Sequence, residues 1–175
     1  YLPSPENRAP VTAKKIDDDS EIKRSAGRKD PASALVFKTV ADPYAGKLTL
    51  FRTFSGTIKG DSSVLNTSQG VSERVGQLYM LQGKKQVPAP EIPEGEIGTV
   101  AKLKQTVTGD TFSDSEEKII FKPIPFPVPV FSRALLPKTR ADEEKISQAL
   151  QRLTEEDPTL KVERNSQTGE LLISG

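Results

Sequence analysis

The chain has 175 residues, a formal net charge of +1, 34% hydrophobic residues and 28% charged residues. It contains no Cys and no His, which excludes disulfides, thiolate nucleophiles, Cys- or His-ligated metals and Ser-His-Asp chemistry. The near-neutral charge argues against a dedicated nucleic-acid binder but not against a local basic edge. No apolar run approaches the roughly 18 residues of a membrane span, and no signal peptide opens the chain, so a cytoplasmic location and no membrane partner are expected.

The opening, residues 1–33, reads as a solvated tether. Leu2-Pro3-Ser4-Pro5 disfavours helix because each proline pushes its predecessor towards extended geometry. Lys14-Lys15, Asp17-Asp18-Asp19, Lys23-Arg24 and Arg28-Lys29 then alternate in sign with little to bury.

From Ala34 the pattern becomes that of strands. Leu35 to Val40 is rich in β-branched and aromatic residues, and Asp42-Pro43-Tyr44-Ala45-Gly46 reads as a turn. In Lys47 to Phe54, Leu48, Leu50 and Phe54 fall on one face and Thr49, Phe51 and Thr53 on the other. Short strands follow around Thr57-Ile58 and Val64-Leu65, then from Arg74 to Leu81, before a Gly83-Lys84-Lys85 turn. Ile97 to Leu103 is a further strand, in which Gly98 fits a close backbone approach. Pro88, Pro90 and Pro93 belong to an edge or a connection, since proline cannot donate within a central ladder. Several short strands over residues 34–122, with no long helix among them, predict a closed or nearly closed β-barrel.

A proline-rich segment at 123–129 reads as a stiff, extended joint between domains. Val130 to Leu136 reads as a strand. Thr139, with Asp142 three residues on, has the spacing of a helix N-terminal cap. Ile146, Ala149, Leu150 and Leu153 make one apolar stripe, and Asp157-Pro158 stops the helix. Leu160 to Glu163 and Glu170 to Ser174 read as a hairpin across Gln167-Thr168-Gly169. Strand, helix, strand, strand over 130–175 is half of a split β-α-β repeat, expected to be truncated after its third strand.

The string Ala41-Asp42-Pro43-Tyr44-Ala45-Gly46-Lys47-Leu48-Thr49-Leu50-Phe51-Arg52-Thr53-Phe54-Ser55-Gly56 resembles the second domain of elongation factor G, a translational GTPase. Thr108-Gly109-Asp110-Thr111 resembles that domain's final turn. Pro137 to Asp142, Gln148-Ala149-Leu150, Glu155 to Thr159 and Ile173-Ser174-Gly175 resemble its third domain, and Tyr1 to Pro5 the segment leaving the GTPase domain. The resemblance implies a Greek-key translation-factor barrel followed by an incomplete ferredoxin-like domain, mainly β with α+β. It further implies a parent that binds the ribosome and uses GTP for translocation. Leu136-Pro137 and Phe126-Pro127-Val128-Pro129 depart from the family's usual acidic residues, so the parent is the housekeeping translocase or a diverged paralogue acting in ribosome recycling or protection. A free-standing non-catalytic β-barrel adaptor is the alternative of another class.

No Gly-x-x-x-x-Gly-Lys-Ser/Thr phosphate loop occurs in the chain. No cofactor, metal or catalytic residue is therefore expected here, and GTP and Mg belong to the parent's GTPase domain. Read from the residues alone, Asp42 to Lys47 is a hairpin turn in which Tyr44 offers an aromatic face, Gly46 a close approach and Lys47 a charge for phosphate. By resemblance this loop meets small-subunit ribosomal RNA, with Lys59 and Arg74 as companions, Lys84 and Lys85 as weaker ones, and a ribosomal protein and the parent's GTPase domain as further partners. Pro127, Pro129, Asp157 and Thr159 match positions that line the family's fusidic acid pocket. Without that resemblance they are two joint prolines and a helix stop.

Overall fold

The computed structural model describes residues 3–42, 46–83 and 85–175, with the side chains of residues 140, 141, 143 and 144 also left aside. The chain forms two compact units, the first ending at Ile124 and the second running Pro125–Gly175. The division falls inside the proline-rich segment.

The first unit is built on an eight-stranded sheet. Its strands are β3 (Ser33–Asp42), β4 (Gly46–Ser55), β6 (Ser62–Asn66), β7 (Val71–Val75), β8 (Leu78–Gln82), β9 (Lys85–Ala89), β11 (Ile97–Ala101) and β12 (Thr111–Ser113). The order is β7-β6-β12-β3-β4-β11-β8-β9, curled over one core. A short ladder, β5 (Thr57–Lys59) with β10 (Glu91–Pro93), adds Ile58 and Ile92 to that core. Phe51 and Phe112, both fully buried, meet edge-on with ring centroids 5.7 Å apart. Burying such a ring stabilises the fold by about 3 kcal/mol.

Of the two faces of β4, the one carrying Thr49, Phe51, Thr53 and Ser55 looks inward, while Leu50, Arg52 and Phe54 are only half-buried. A register shift between Val36 and Lys38 in the neighbouring β3 re-phases that strand against β4. Gly98 sits opposite Phe51, and a Cβ there would lie 2.6 Å from Ile92 Cγ1 and 2.7 Å from Phe51 Cζ. The close approach read from the sequence is thus with core side chains.

Two expectations are corrected. The single strand read from Arg74 to Leu81 is two, β7 and β8, broken at Gly76, whose carbonyl accepts from the Asp61 N–H at 3.2 Å. The tether reading of residues 1–33 also gives way. Here β1 (Val11–Lys15) and β2 (Glu21–Arg24) form a hairpin, and β1 pairs on its other side with β13 (Ile119–Phe121). Ala13, Ile119 and Phe121 bury together there, flanked by Val11, Ile22, Leu35 and Phe54. Arg24, 7% exposed, donates to Glu117 at 2.7 Å. Lys14 and Lys23, which suggest a tether, are on the outward face of this hairpin, and Asp17 to Asp19 lie in its exposed connection.

The prolines fall where their missing N–H is tolerated. Pro88 lies on β9, the last strand in the order, and Pro93 on the two-stranded ladder.

In the second unit, β14 (Ser132–Leu135), α1 (Arg140–Glu156), β15 (Lys161–Arg164) and β16 (Leu171–Ser174) follow in sequence. The sheet order is β14-β16-β15, antiparallel throughout, which is the split β-α-β arrangement. Thr139 caps the helix: Asp142 accepts from the Thr139 N–H at 3.2 Å and from its hydroxyl at 2.7 Å. Of the predicted apolar stripe only Leu150 is buried; Ile146 is half-buried, and Ala149 and Leu153 are exposed. The hairpin turn is organised by Asn165, whose side-chain oxygen accepts from the N–H groups of Gln167 and Thr168.

Because Leu171 to Ser174 are all only half-buried although β16 is the middle strand, their amides are expected to exchange with deuterium faster than those of Leu48 to Phe54. Equal protection in hydrogen-exchange mass spectrometry overturns that ordering.

Candidate functional site

The hairpin β3–β4 closes around the predicted working loop. Asp42 pairs with Gly46 and Ala41 with Lys47 in the last two rungs. Tyr44 lies outside the described residues, as does Lys84. Gly46 has φ +78°, a left-handed conformation that favours glycine, and among the described residues other than its chain neighbours no atom lies within 4 Å of where a Cβ would be. That leaves its backbone open to a partner. Lys47 belongs to β4 and is half-buried, not free in the turn.

The other predicted contacts do not adjoin it through the sheet. Arg74 is exposed on β7, four strand spacings from β4 in the sheet order, or about 19 Å measured along the sheet. Lys59 is exposed on the separate β5–β10 ladder, directly across from Glu91, which accepts from Arg28. Lys85 is exposed at the start of the edge strand β9.

The segment between β11 and β12 links β4 to β7. The Lys102 N–H donates to the Lys47 carbonyl at 2.9 Å. Leu103 then enters the core, 3% exposed. Three successive N–H groups next donate to the Glu73 carboxylate on β7: Lys104 at 2.7 Å, Gln105 at 2.9 Å and Thr106 at 2.7 Å. The Thr106 hydroxyl adds a fourth bond at 2.8 Å. Burial, the largest single influence, pushes the Glu73 carboxyl up, but these four donors together hold it below its ordinary 4.5. Asp110 completes the brace, accepting from Asn66 at 2.8 Å, Val107 N–H at 2.9 Å and Gln69 at 3.0 Å.

Sequence reasoning does not find this network. A signal for it is present, since Glu73 is in phase with Val75, the fully buried residue two positions on. Asp110 reads in the sequence only as part of a turn.

In the second unit Pro127 is exposed and Pro129 half-buried. Asp157 ends α1 and accepts from the Thr159 hydroxyl at 2.6 Å and the Thr159 N–H at 2.9 Å. These bonds, the hydroxyl's first, hold the Asp157 carboxyl below its ordinary 3.8. Its carboxylate is thus engaged locally. None of these four residues lines the groove formed by Leu135, Leu136, Ile146, Arg164 and Leu171.

Among the described residues no group of His, Cys, Asp or Glu could hold a metal ion, and no helix is long and apolar enough to cross a membrane.

The sequence pattern described as "Elongation factor G domain 2" matches residues 31–115, and that described as "Elongation Factor G, domain III" matches residues 126–175. The chain belongs to the elongation factor G family. A crystal structure of a protein from Thermus thermophilus is 34% identical, with a TM-score of 0.71 over 83% of this chain. This elongation factor G chain spans 22% of the length of that protein. The curled barrel is thus the family's second domain, and the strand-helix-strand-strand unit its third.

Proposed function

We propose that this chain is the ribosome-binding part of a GTP-driven elongation factor, with the 42–47 end of the barrel meeting small-subunit ribosomal RNA. The observation that carries the reading is the succession of the two family domains on one chain, at residues 31–115 and 126–175. The open backbone at Gly46 beside Lys47 suits a close approach by a sugar-phosphate chain. GTP and Mg are held by the parent's GTPase domain, and this chain contributes no catalytic group of its own. A role for Pro127, Pro129, Asp157 and Thr159 in a fusidic acid pocket belongs to the same proposal.

The test is binding of the full-length protein to ribosomes across a salt series. Lys47→Ala is expected to remove one phosphate contact and flatten the log–log salt dependence by about 0.7–0.9. Tyr44→Ala is expected to weaken binding with little change of slope, because a stacking contact releases no counterions. If both variants bind like wild type at every salt concentration, the loop is a hairpin turn and nothing more.

A further inference from the structure

Lys102 is one of three described non-glycine residues with positive φ, at +65°. A lysine there pays a conformational cost that glycine avoids. The reversal at Lys102 has a definite result: Leu103 is driven into the core while Lys102 and Lys104 on either side are exposed. Neither lysine forms an ion pair among the described residues.

Their backbone is nevertheless held at both ends. Lys102 bonds to the Lys47 carbonyl, and Lys104 is the first of the three N–H groups gripped by Glu73. Lysines that only solvate a surface need no such fixing. Here two cations with no ion pair among the described residues are set on a strip whose backbone is bonded at both ends, running from Lys47 on β4 to the strand that carries Arg74, so residues far apart in sheet order acquire a bridge of positive charge. Rows of fixed cations with open backbone at one end fit the regularly spaced charges of a nucleic-acid backbone.

We infer that Lys102 and Lys104 form a second phosphate-contacting strip continuous with Lys47. The inference rests on the reading that this end of the barrel meets ribosomal RNA. It assigns the contact to a segment outside the 42–47 loop.

The experiment compares the full-length protein carrying Lys102→Gly with Lys104→Ala against Lys47→Ala, each binding ribosomes across a salt series. The double variant is expected to bind several-fold more weakly, with the log–log slope flattened by about 1.4–1.8 for two lost phosphates. In the 175-residue chain, Lys102→Gly alone is expected to raise Tm by about 2 °C, since it relieves the left-handed strain. With the Tm of the double variant measured as well, weaker binding together with an undiminished Tm in that same variant is a combination that loss of structure cannot produce. If the double variant binds like wild type while Lys47→Ala weakens binding, the strip is overturned and the proposed function stands. If neither set changes binding, both fall. A weaker complex with an unchanged slope places the lysines against a protein surface and also overturns the inference.

Discussion

Glu73→Ala is expected to destabilise the first unit by about 3–5 kcal/mol, a large fraction of a small domain's stability. The substitution removes the acceptor for three backbone N–H groups and one hydroxyl. Each donor left buried without a partner costs about 1–3 kcal/mol, partly recovered as the loop relaxes and water enters. Glu73→Gln is expected to cost less, because the amide oxygen still accepts, although its NH2 group faces N–H donors.

The two variants also separate charge from shape. The Glu73 carboxyl lies below its ordinary 4.5 in the folded chain, so the unfolded chain binds the proton more readily. Its contribution is therefore fully present above about pH 4.5 and is lost as pH falls through the depressed folded value. Urea unfolding between about pH 3 and pH 7 is expected to show a steeper loss of stability at the acid end for wild type than for Glu73→Gln. A cost below about 1 kcal/mol for Glu73→Ala means that the 103–110 segment finds other partners, and the brace across the barrel is not what fixes it.

The second unit is the more legible in the sequence, because its signals are local. Thr139 and Asp142 lie one helical turn apart and meet within that turn. Asp157-Pro158 acts at the bond it occupies, and the hairpin around Asn165 is closed by its own side chain. What the sequence overstates is burial: Leu153 fits the helical period but is 45% exposed. Periodicity shows which residues share a face. It does not show how much of that face is covered.

The barrel is legible as a set of strands and less so as a packed object. Leu48, Leu50 and Phe54 make the more apolar face of β4, yet the opposite face, carrying Thr49, Phe51 and Thr53, is the more deeply buried one. One large ring, Phe51, fills the centre with Phe112 and Ile92, and the Thr53 hydroxyl beside it donates to the Ile92 carbonyl at 3.4 Å. Phe54 is not wasted outside: its ring lies 5.0 Å from that of Phe121, beneath the N-terminal hairpin. Contacts such as Glu73 with Gln105, or Thr67 with Ile119, join residues 32 and 52 positions apart. No local pattern encodes them. The candidate site shares this character: Gly46 announces its turn, whereas the link from Lys47 through Lys102 to Glu73 exists only once the sheet has curled.

Deleting residues 1–25 is expected to cost about 4 kcal/mol, where a solvated tether would cost less than about 0.5 kcal/mol. The hairpin covers Ile119, fully buried, and Phe121, 3% exposed, and lays Val11, Ala13 and Ile22 against them. Removal strips these apolar contacts, leaves β13 without its ladder partner β1, and takes Arg24 away from Glu117. Losing that ion pair matters less, since the Glu117 side chain is 29% exposed and water can replace the guanidinium. Loss of apolar burial dominates, at about 25 cal/mol per Å2. Residues from Ala26 onward remain in the deletion, so the bond from the Gly56 N–H to the Gly27 carbonyl at 2.8 Å is kept. Two substitutions report on the same interface without truncation. Ala13→Asp places a carboxylate in the 2% exposed centre of the cluster and is expected to cost about 3 kcal/mol. Lys14→Gln on the exposed face of β1 is expected to cost less than about 0.5 kcal/mol, since the pair with Asp19 that it gives up is exposed to solvent. Urea unfolding followed by circular dichroism measures all three. If the deletion and Ala13→Asp both leave the midpoint unchanged, the opening of the chain is a tether after all, and Phe121 is covered by something else.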